Sequence, residues 1–376
     1  MKKIISTLLC AAMLLAAFGG ALAAKAEGPP KLLVLGDSIA VGMFALPSFP
    51  EPFDPYPPAS SWDPNDYPDG YGPLVAREMG WQFANYAQSG DRTIDLLDKL
   101  RHNAEIRLAV GQADIIEISI GGNDILNASP AEMISLGLNA LLGSYTTANT
   151  IFAASKANLL SIVAEIRTLN PGAVLIVQNM YDTGPNAINK MVGPLYTISE
   201  SYWTGLIQLG NASVFSACLS ANPGAFYLAE IYPAFNWKSG LMSPDFIHPN
   251  KAGHEVIAGV LLDLLRTIPF AVDVATDGHG TASASPANAA AGTEVTLTAT
   301  PASGYHFKEW QVTGGGVMIA ENKFTMPAQA VAVKAIFEKD APQPAPVKYI
   351  FNTKYESTFG NWIAFIFLIG WIWMWF

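Results

Sequence analysis

Between residues 30 and 268, short apolar runs alternate with longer, helix-like stretches. Lys31–Leu35 (KLLVL), Gln82–Ala87, Asp114–Ile120 (DIIEISI), Ala173–Gln178 (AVLIVQ) and Ala225–Ile231 have the length of strands. Their apolar character is continuous rather than alternating, as in strands of a parallel sheet covered on both faces. Thr93–Leu108, Ala148–Leu169, Tyr196–Leu219 and Asn250–Leu265 read as the helices between them. Repeated strand–helix units predict a doubly wound, mainly parallel α/β fold. Ligands of such folds bind outside the carboxyl ends of the strands.

From Ala271 the texture changes. Thr281–Ser285, Glu294–Ala299, Glu309–Val312 and Ala330–Phe337 are short, rich in Thr and Val, and separated by Gly and Pro. They predict a second, small all-β domain over 271–338, of roughly 68 residues, a size that folds alone only marginally.

The two ends follow neither pattern. Lys2 and Lys3 precede an apolar run, Ile4–Phe18, and Ala21-Leu22-Ala23 fits a small-x-small cleavage site. Residues 1–23 are therefore expected to be a secretory signal, which implies export to the cell surface or beyond. The apolar run is short for a membrane span. Residues 339–348 (KDAPQPAPVK) read as an extended Pro-rich linker. Ser357–Phe376 then carries no charge, and its strictly apolar part is WIAFIFLIGWIWMWF. As a helix this segment would measure ~30 Å, about one hydrocarbon core. Either it enters a membrane or it packs against protein; the expectation is a membrane anchor.

Composition narrows the class. Apolar residues make up 51% and charged residues 14%, which supports a large buried core. The formal net charge is −10 and there is no basic run, which argues against a nucleic-acid partner. Two Cys provide neither a disulfide scaffold nor a Cys-based metal site.

Candidate chemistry sits where the strands end. The first strand runs into Gly36-Asp37-Ser38, placing a hydroxyl at the ligand-binding edge. Such a hydroxyl needs a base to act as a nucleophile. His248 lies in the loop before the last helix, with Asp245 three residues upstream to orient it. Ser38, Asp245 and His248 are thus available in the roles of a triad. Gln88-Ser89-Gly90-Asp91 follows the second strand and Gly121-Gly122-Asn123-Asp124 the third. Gly90 offers a backbone N–H and Asn123 an amide to a developing oxyanion.

At these residues the chain resembles the Ser-Gly-Asn-His hydrolases, the GDSL lipase/esterase family, over roughly residues 30–268. The carrying blocks are Gly36-Asp37-Ser38, Gly90, Gly121-x-Asn123-Asp124 and Asp245-x-x-His248, in the family's order. The resemblance implies a flavodoxin-like three-layer α/β/α fold and a serine hydrolase of carboxylic esters. It implies Ser38 as nucleophile, His248 as base and Asp245 as its orienting acid. Ser38 N–H, Gly90 N–H and the Asn123 side chain would form the oxyanion hole, and no metal or cofactor is needed. The substrate would be an ester of a lipid or an acetylated glycan; a small or medium acyl group is the expectation. One departure is the stretch between Met43 and Gly72, which interleaves eight Pro with seven aromatic residues. It is either a hydrophobic rim of the cleft or a loop packed on itself.

The α/β-hydrolase elbow Gly-x-Ser-x-Gly fits poorly, because Gly36-Asp-Ser-Ile-Ala40 lacks its last Gly. Of the remaining residues, His254 is expected to be a surface or packing residue and His102 a solvated one. Cys218 reads as a buried small hydrophobe. Asp273, Asp277 and His279 read as turn residues. The small β domain resembles bacterial modules related to the internalin B-repeat, through Ala291–Pro301, Gly304–Trp310 and Val331–Phe337. It implies a spacer or interaction module. An opposed reading makes the chain a surface adhesion protein with an inert hydrolase-fold scaffold.

Overall fold

The computed structural model describes residues 28–45, 67–186, 188–189 and 197–342. The expected signal segment, most of the Pro/aromatic stretch, most of the Pro-rich linker and the apolar C-terminal segment lie outside the described residues.

The apolar runs become strands β1 (Lys31–Gly36), β2 (Gln82–Asn85), β3 (Ile115–Ser119), β4 (Val174–Gln178) and β5 (Tyr227–Ala229). All pair in parallel, in the order β2-β1-β3-β4-β5. β3 and β4 are buried throughout and β1 nearly so, whereas the edge strand β2 is half-buried. Successive residues of β1 serve opposite faces. Leu33 and Leu35 join one core, and Leu32 and Val34 join the other. The first core packs beneath the helices Thr93–His102, Ala104–Gln112, Thr146–Leu169 and Glu200–Gly210. The second packs beneath Tyr71–Met79 and Lys251–Thr267. This is the three-layer, doubly wound architecture expected from the pattern. In this strand order the chain reverses direction across the sheet between β1 and β3, so the crevice at their carboxyl ends is the place for a ligand.

Two expected helices differ. Thr93–Leu108 is broken at Asn103, which ends one helix and caps the next by accepting from the N–H groups of Glu105 and Ile106. Such a cap satisfies donors that a continuing helix would satisfy itself. Within Tyr196–Leu219, Glu200–Gly210 is α-helical, but Asn211–Ser216 widens into a π-helical turn before Ala217–Ala221. Tyr71–Met79 is also a helix, so the C-terminal end of the Pro/aromatic stretch is ordered rather than loop.

The C-terminal region is all-β, with sheets of its own. A sheet of order β10-β12-β6-β8 holds β6 (Phe270–Thr276), β8 (Asn288–Ala289), β10 (Tyr305–Gly314) and β12 (Val331–Lys339). A second sheet of order β11-β9-β7 holds β7 (Gly280–Ser285), β9 (Glu294–Pro301) and β11 (Lys323–Thr325). β6 was not foreseen. It begins three residues after the helix Lys251–Thr267 and runs parallel to β12. Among the described residues, no helix is long and apolar enough to cross a membrane.

Candidate active site

The end of β1 is built around Gly36. Its φ is +134°, and a Cβ there would stand 1.9 Å from the carbonyl oxygen of Ser119 on β3. Only glycine allows the two strand ends to approach so closely. Asp37 N–H donates to that same carbonyl at 3.0 Å. The Asp37 carboxyl then caps the short helix Ser38–Val41 by accepting from Ile39 N–H at 3.0 Å. Ser38 is thereby held as the first residue of a turn at the switch point.

The opposing loop is organised by Asp245. One carboxyl oxygen accepts from the N–H groups of Ile247 (2.9 Å) and His248 (3.1 Å) and from the Ser243 hydroxyl. Ser243 N–H donates back to His248 C=O at 2.9 Å, which closes the turn. Tyr181, on the loop after β4, donates its hydroxyl to Ile247 C=O at 2.8 Å and braces the loop from outside. The other Asp245 oxygen lies 2.5 Å from His248 Nδ1, and His248 Nε2 lies 2.7 Å from Ser38 Oγ. With Nδ1 donating to the carboxylate, Nε2 presents a lone pair to the serine hydroxyl. Burial alone would raise the Asp245 carboxyl. The hydrogen bond and charge of His248, with the Ser243 and Ile247 donors, hold it below the ordinary carboxylate range. An ionised acid, an oriented imidazole and a hydroxyl in one line can deliver an alkoxide-like nucleophile.

Asn123 lies in the short helix Gly122–Leu126 after β3 and lines the same cleft as Ser38. Its amide donates one hydrogen to Asp91 C=O at 3.0 Å, and an amide carries two. The neighbouring Asp124 accepts from Thr93 N–H (3.0 Å), the Thr93 hydroxyl (2.6 Å) and the Ser155 hydroxyl (2.8 Å). Asp124 thus ties the Asn123 turn to two helices. Gly90 has φ +87°, and its carbonyl accepts from Asn127 at 3.1 Å. It borders an adjoining groove with Asp91, Arg92 and Lys99 rather than lining the cleft of Ser38. So the structure joins Ser38, Asp245 and His248 directly, places Asn123 on the cleft wall, and sets Gly90 on the loop that Asn123 grips through Asp91.

The cleft wall beyond Ser38 is mostly apolar, with Ile120, Leu126, Phe152, Met180, Trp203 and Ile207. The π-helical turn fixes part of it. Asn211 accepts from Met180 N–H at 2.9 Å and donates to Met180 C=O at 2.8 Å, pinning the loop after β4.

Behind Ser38 lies a set of buried polar groups that the sequence pattern did not announce. Glu117, in the middle of β3, accepts from the Tyr71 hydroxyl at 2.6 Å and from Gln178 Nε2 at 2.7 Å. Burial, with a contribution from Asp37, pushes its carboxyl up to about 8. Burial first, then the charges of Asp91 and Asp124, push Asp37 up to about 7. His254 belongs to this interior and not to the surface. It is 0% exposed, its Nε2 lies 3.0 Å from Met43 C=O, and its ring stacks on Tyr71. Burial pushes its imidazole down to about 4. Cys218 is buried and free, as expected, and His102 is exposed. Asp277 caps a turn by accepting from His279 and Phe337 N–H groups. Among the described residues, no group of three or more His, Cys, Asp or Glu side chains can hold a metal.

Residues 34–256 match the GDSL-like lipase/acylhydrolase family. The chain belongs to this family. Residues 270–341 match the divergent InlB B-repeat domain. The chain is similar to the uncharacterized protein YpmR of Bacillus subtilis, 27% identical over 180 residues, which make up 46% of this chain. It spans 62% of that relative's length. Similar solved structures include the lipase Lip_vut3 from a goat rumen metagenome, at 18% identity and TM-score 0.46, covering 62% of this chain and 97% of that one. Others are phospholipase A1 of Streptomyces albidoflavus, at 21% identity and TM-score 0.43 (63% and 98%), and the acetylxylan esterase Axe2 of Geobacillus stearothermophilus, at 20% identity and TM-score 0.40 (62% and 93%).

Proposed function

We propose that this GDSL-family chain is an exported serine hydrolase of carboxylic esters. The observation that carries the reading is His248, with one ring nitrogen 2.5 Å from Asp245 and the other 2.7 Å from a serine 210 residues away in sequence. Ser38 Oγ attacks the ester carbonyl while His248 Nε2 takes its proton. The imidazolium, stabilised by Asp245, returns that proton to the departing alcohol. Water, activated by the same imidazole, then releases the acid from the acyl-enzyme and regenerates Ser38. The developing oxyanion is met by the N–H of Ser38 and by the second amide hydrogen of Asn123, while Gly90 acts through the loop that Asn123 grips at Asp91.

The apolar cleft wall favours an acyl ester of small or medium chain over a bare acetyl group on a glycan. The Ala21-Leu22-Ala23 site supports export, and the uncharged Ser357–Phe376 segment supports a membrane anchor with the β region as spacer. Co-fractionation with membranes, resistant to high salt and carbonate and lost when the chain ends at Lys339, is the test of that anchor. The surface-adhesion alternative gives no reason for a serine, a histidine and an aspartate to be kept in hydrogen-bonded line.

The enzymatic reading is tested on the full chain with p-nitrophenyl esters from acetyl to palmitoyl, set beside acetylated xylan. Turnover is expected on the shorter and medium acyl esters, abolished in Ser38→Ala and reduced roughly 10²–10³-fold in Asn123→Ala, the loss usual for one oxyanion donor. Undiminished hydrolysis by Ser38→Ala would remove the assignment.

A further inference from the structure

The helix Pro130–Leu141 is apolar on two faces. Its inner face, with Met133, Leu136 and Ala140, packs on the core of the sheet. Met133 and Leu136 share a small cavity with Ile125 and Trp203, which also wall the cleft of Ser38. The outer face carries Ile134, Leu138, Leu141 and, at the C-cap, Leu142, all exposed. Their i, i+4, i+7 and i+8 spacing sets them on one stripe. Among the described residues eight large apolar side chains are exposed, and half of them fall within these nine positions. Exposed apolar residues scattered singly are ordinary; a contiguous stripe marks an interaction.

The polar side chains of the helix do not soften this face. Glu132 accepts from the Ser129 N–H at 2.8 Å and from its hydroxyl at 2.6 Å, the Ser135 and Thr147 hydroxyls share a hydrogen bond at 2.6 Å, and Asn139 accepts from Thr147 N–H at 3.0 Å. From Ile125 to Ser155 the sequence has one charged residue, Glu132. A helix that is apolar all round is one that is covered on both sides. A protein partner fits the outer face poorly. A stable interface uses about 20–30 residues a side and is anchored by Trp, Tyr or Arg, whereas the stripe offers four aliphatic side chains. A lipid surface asks for no matching shape, only for apolar bulk projecting from an uncharged helix face. The same stretch supplies no Lys or Arg to hold anionic headgroups.

We infer that Ile134, Leu138, Leu141 and Leu142 dock the protein on an electrically neutral lipid surface, and so bring the adjoining cleft to esters held there. The second half rests on the ester-hydrolase reading above; the docking itself does not.

The experiment attaches a nitrobenzoxadiazole label, which shifts to the blue on leaving water, to Leu142→Cys in the full chain. Leu142 is 80% exposed and Cys218 is buried; the unsubstituted chain taken through the same labelling gives the baseline. Phosphatidylcholine vesicles should shift the label, and spin-labelled acyl chains in them should quench it. A label at Leu108→Cys, 61% exposed on the helix Ala104–Gln112, should do neither. Ile134→Gln with Leu138→Gln should lower the ratio of shifted to unshifted label roughly tenfold for each residue, the usual worth of taking such a side chain out of water. The label reports on the stripe alone, whatever other segment holds the chain to the vesicle. An unshifted label at 142, or equal shifts at 142 and 108, overturns the proposal. So does a label already shifted without lipid, from a second copy if dilution reverses it and from cover within the chain if dilution does not. Catalytic use of the docking is read from p-nitrophenyl octanoate carried in the vesicles, set beside p-nitrophenyl acetate in solution. The Ile134→Gln and Leu138→Gln pair should slow the first and leave the second unchanged; an equal effect on both overturns that use. Protein that docks but hydrolyses neither ester removes the ester-hydrolase reading alone, and protein that hydrolyses both with an unshifted label removes the docking alone.

Discussion

Glu117 interrupts an apolar strand, yet both of its carboxyl oxygens are occupied, by Tyr71 and by Gln178. Its folded value of about 8 stands above the ordinary 4.5 because burial disfavours the charged form. Between those values the folded state holds a proton that the unfolded chain has released, so stability falls as pH rises. The contribution of Glu117 is whole below pH 4.5 and lost as pH passes through about 8. Asp37 acts in the same sense up to about 7. Glu117→Gln removes one of these two titrations. Its unfolding midpoint, measured against wild type from pH 4.5 to 8.5, should gain on wild type steadily across that window. A difference independent of pH would mean that Glu117 is ionised in the fold. Residues of this kind mark the limit of what the chain pattern discloses. Ser38, His248 and Asp245 were legible because they fall at strand ends or just before a helix, where polar residues in an apolar context have few other roles. Glu117 was read as part of a strand, since its partners lie 46 and 61 residues away and no local spacing links them. His254 reads in the sequence as a surface or packing residue; that it is fully buried depends on Tyr71 and Met43, which reach it only in the folded chain.

Continuous apolar runs between breakers are a strong signal at the scale of elements, and all five strands of the parallel sheet were found from them. Their order was not, because pairing depends on which helices cover which face. Breaks inside helices were missed for a different reason. The helical period runs on through Asn103 and Asn211, while a single side chain, bonding to backbone, ends or widens the helix. Asn211 shows what such a break accomplishes. The π-helical turn sets its amide against both backbone groups of Met180, and so holds the loop that walls the cleft. Asn211→Ala removes two part-buried hydrogen bonds to the Met180 backbone, at about 0.5–1.5 kcal/mol each. The full chain should unfold at lower denaturant. kcat/KM for octanoyl esters should fall more than for acetyl esters, since the longer chain touches the loop. An equal loss on both would show that the loop does not border the acyl group.

The whole molecule joins its two folding patterns without a flexible tether. Ile268 and Pro269 alone separate the helix Lys251–Thr267 from β6, and Phe270 is buried in one core with Leu265 of the helix and Val331 of β12. The texture change near Ala271 concealed β6, which begins at Phe270 and whose parallel partner β12 lies some sixty residues further on. Phe270→Ala should cost about 3–5 kcal/mol, the usual cost of emptying a buried aromatic site. Calorimetry of the full chain should show that loss as one transition moving to lower temperature. Two transitions, with only the β region destabilised, would argue for independent folding. The same continuity gives the molecule a load path. The helix begins directly after the loop of His248, capped by Asn250, and extends ~25 Å before it enters β6. A pull taken up by the β region is carried along this rod and arrives three residues from the imidazole.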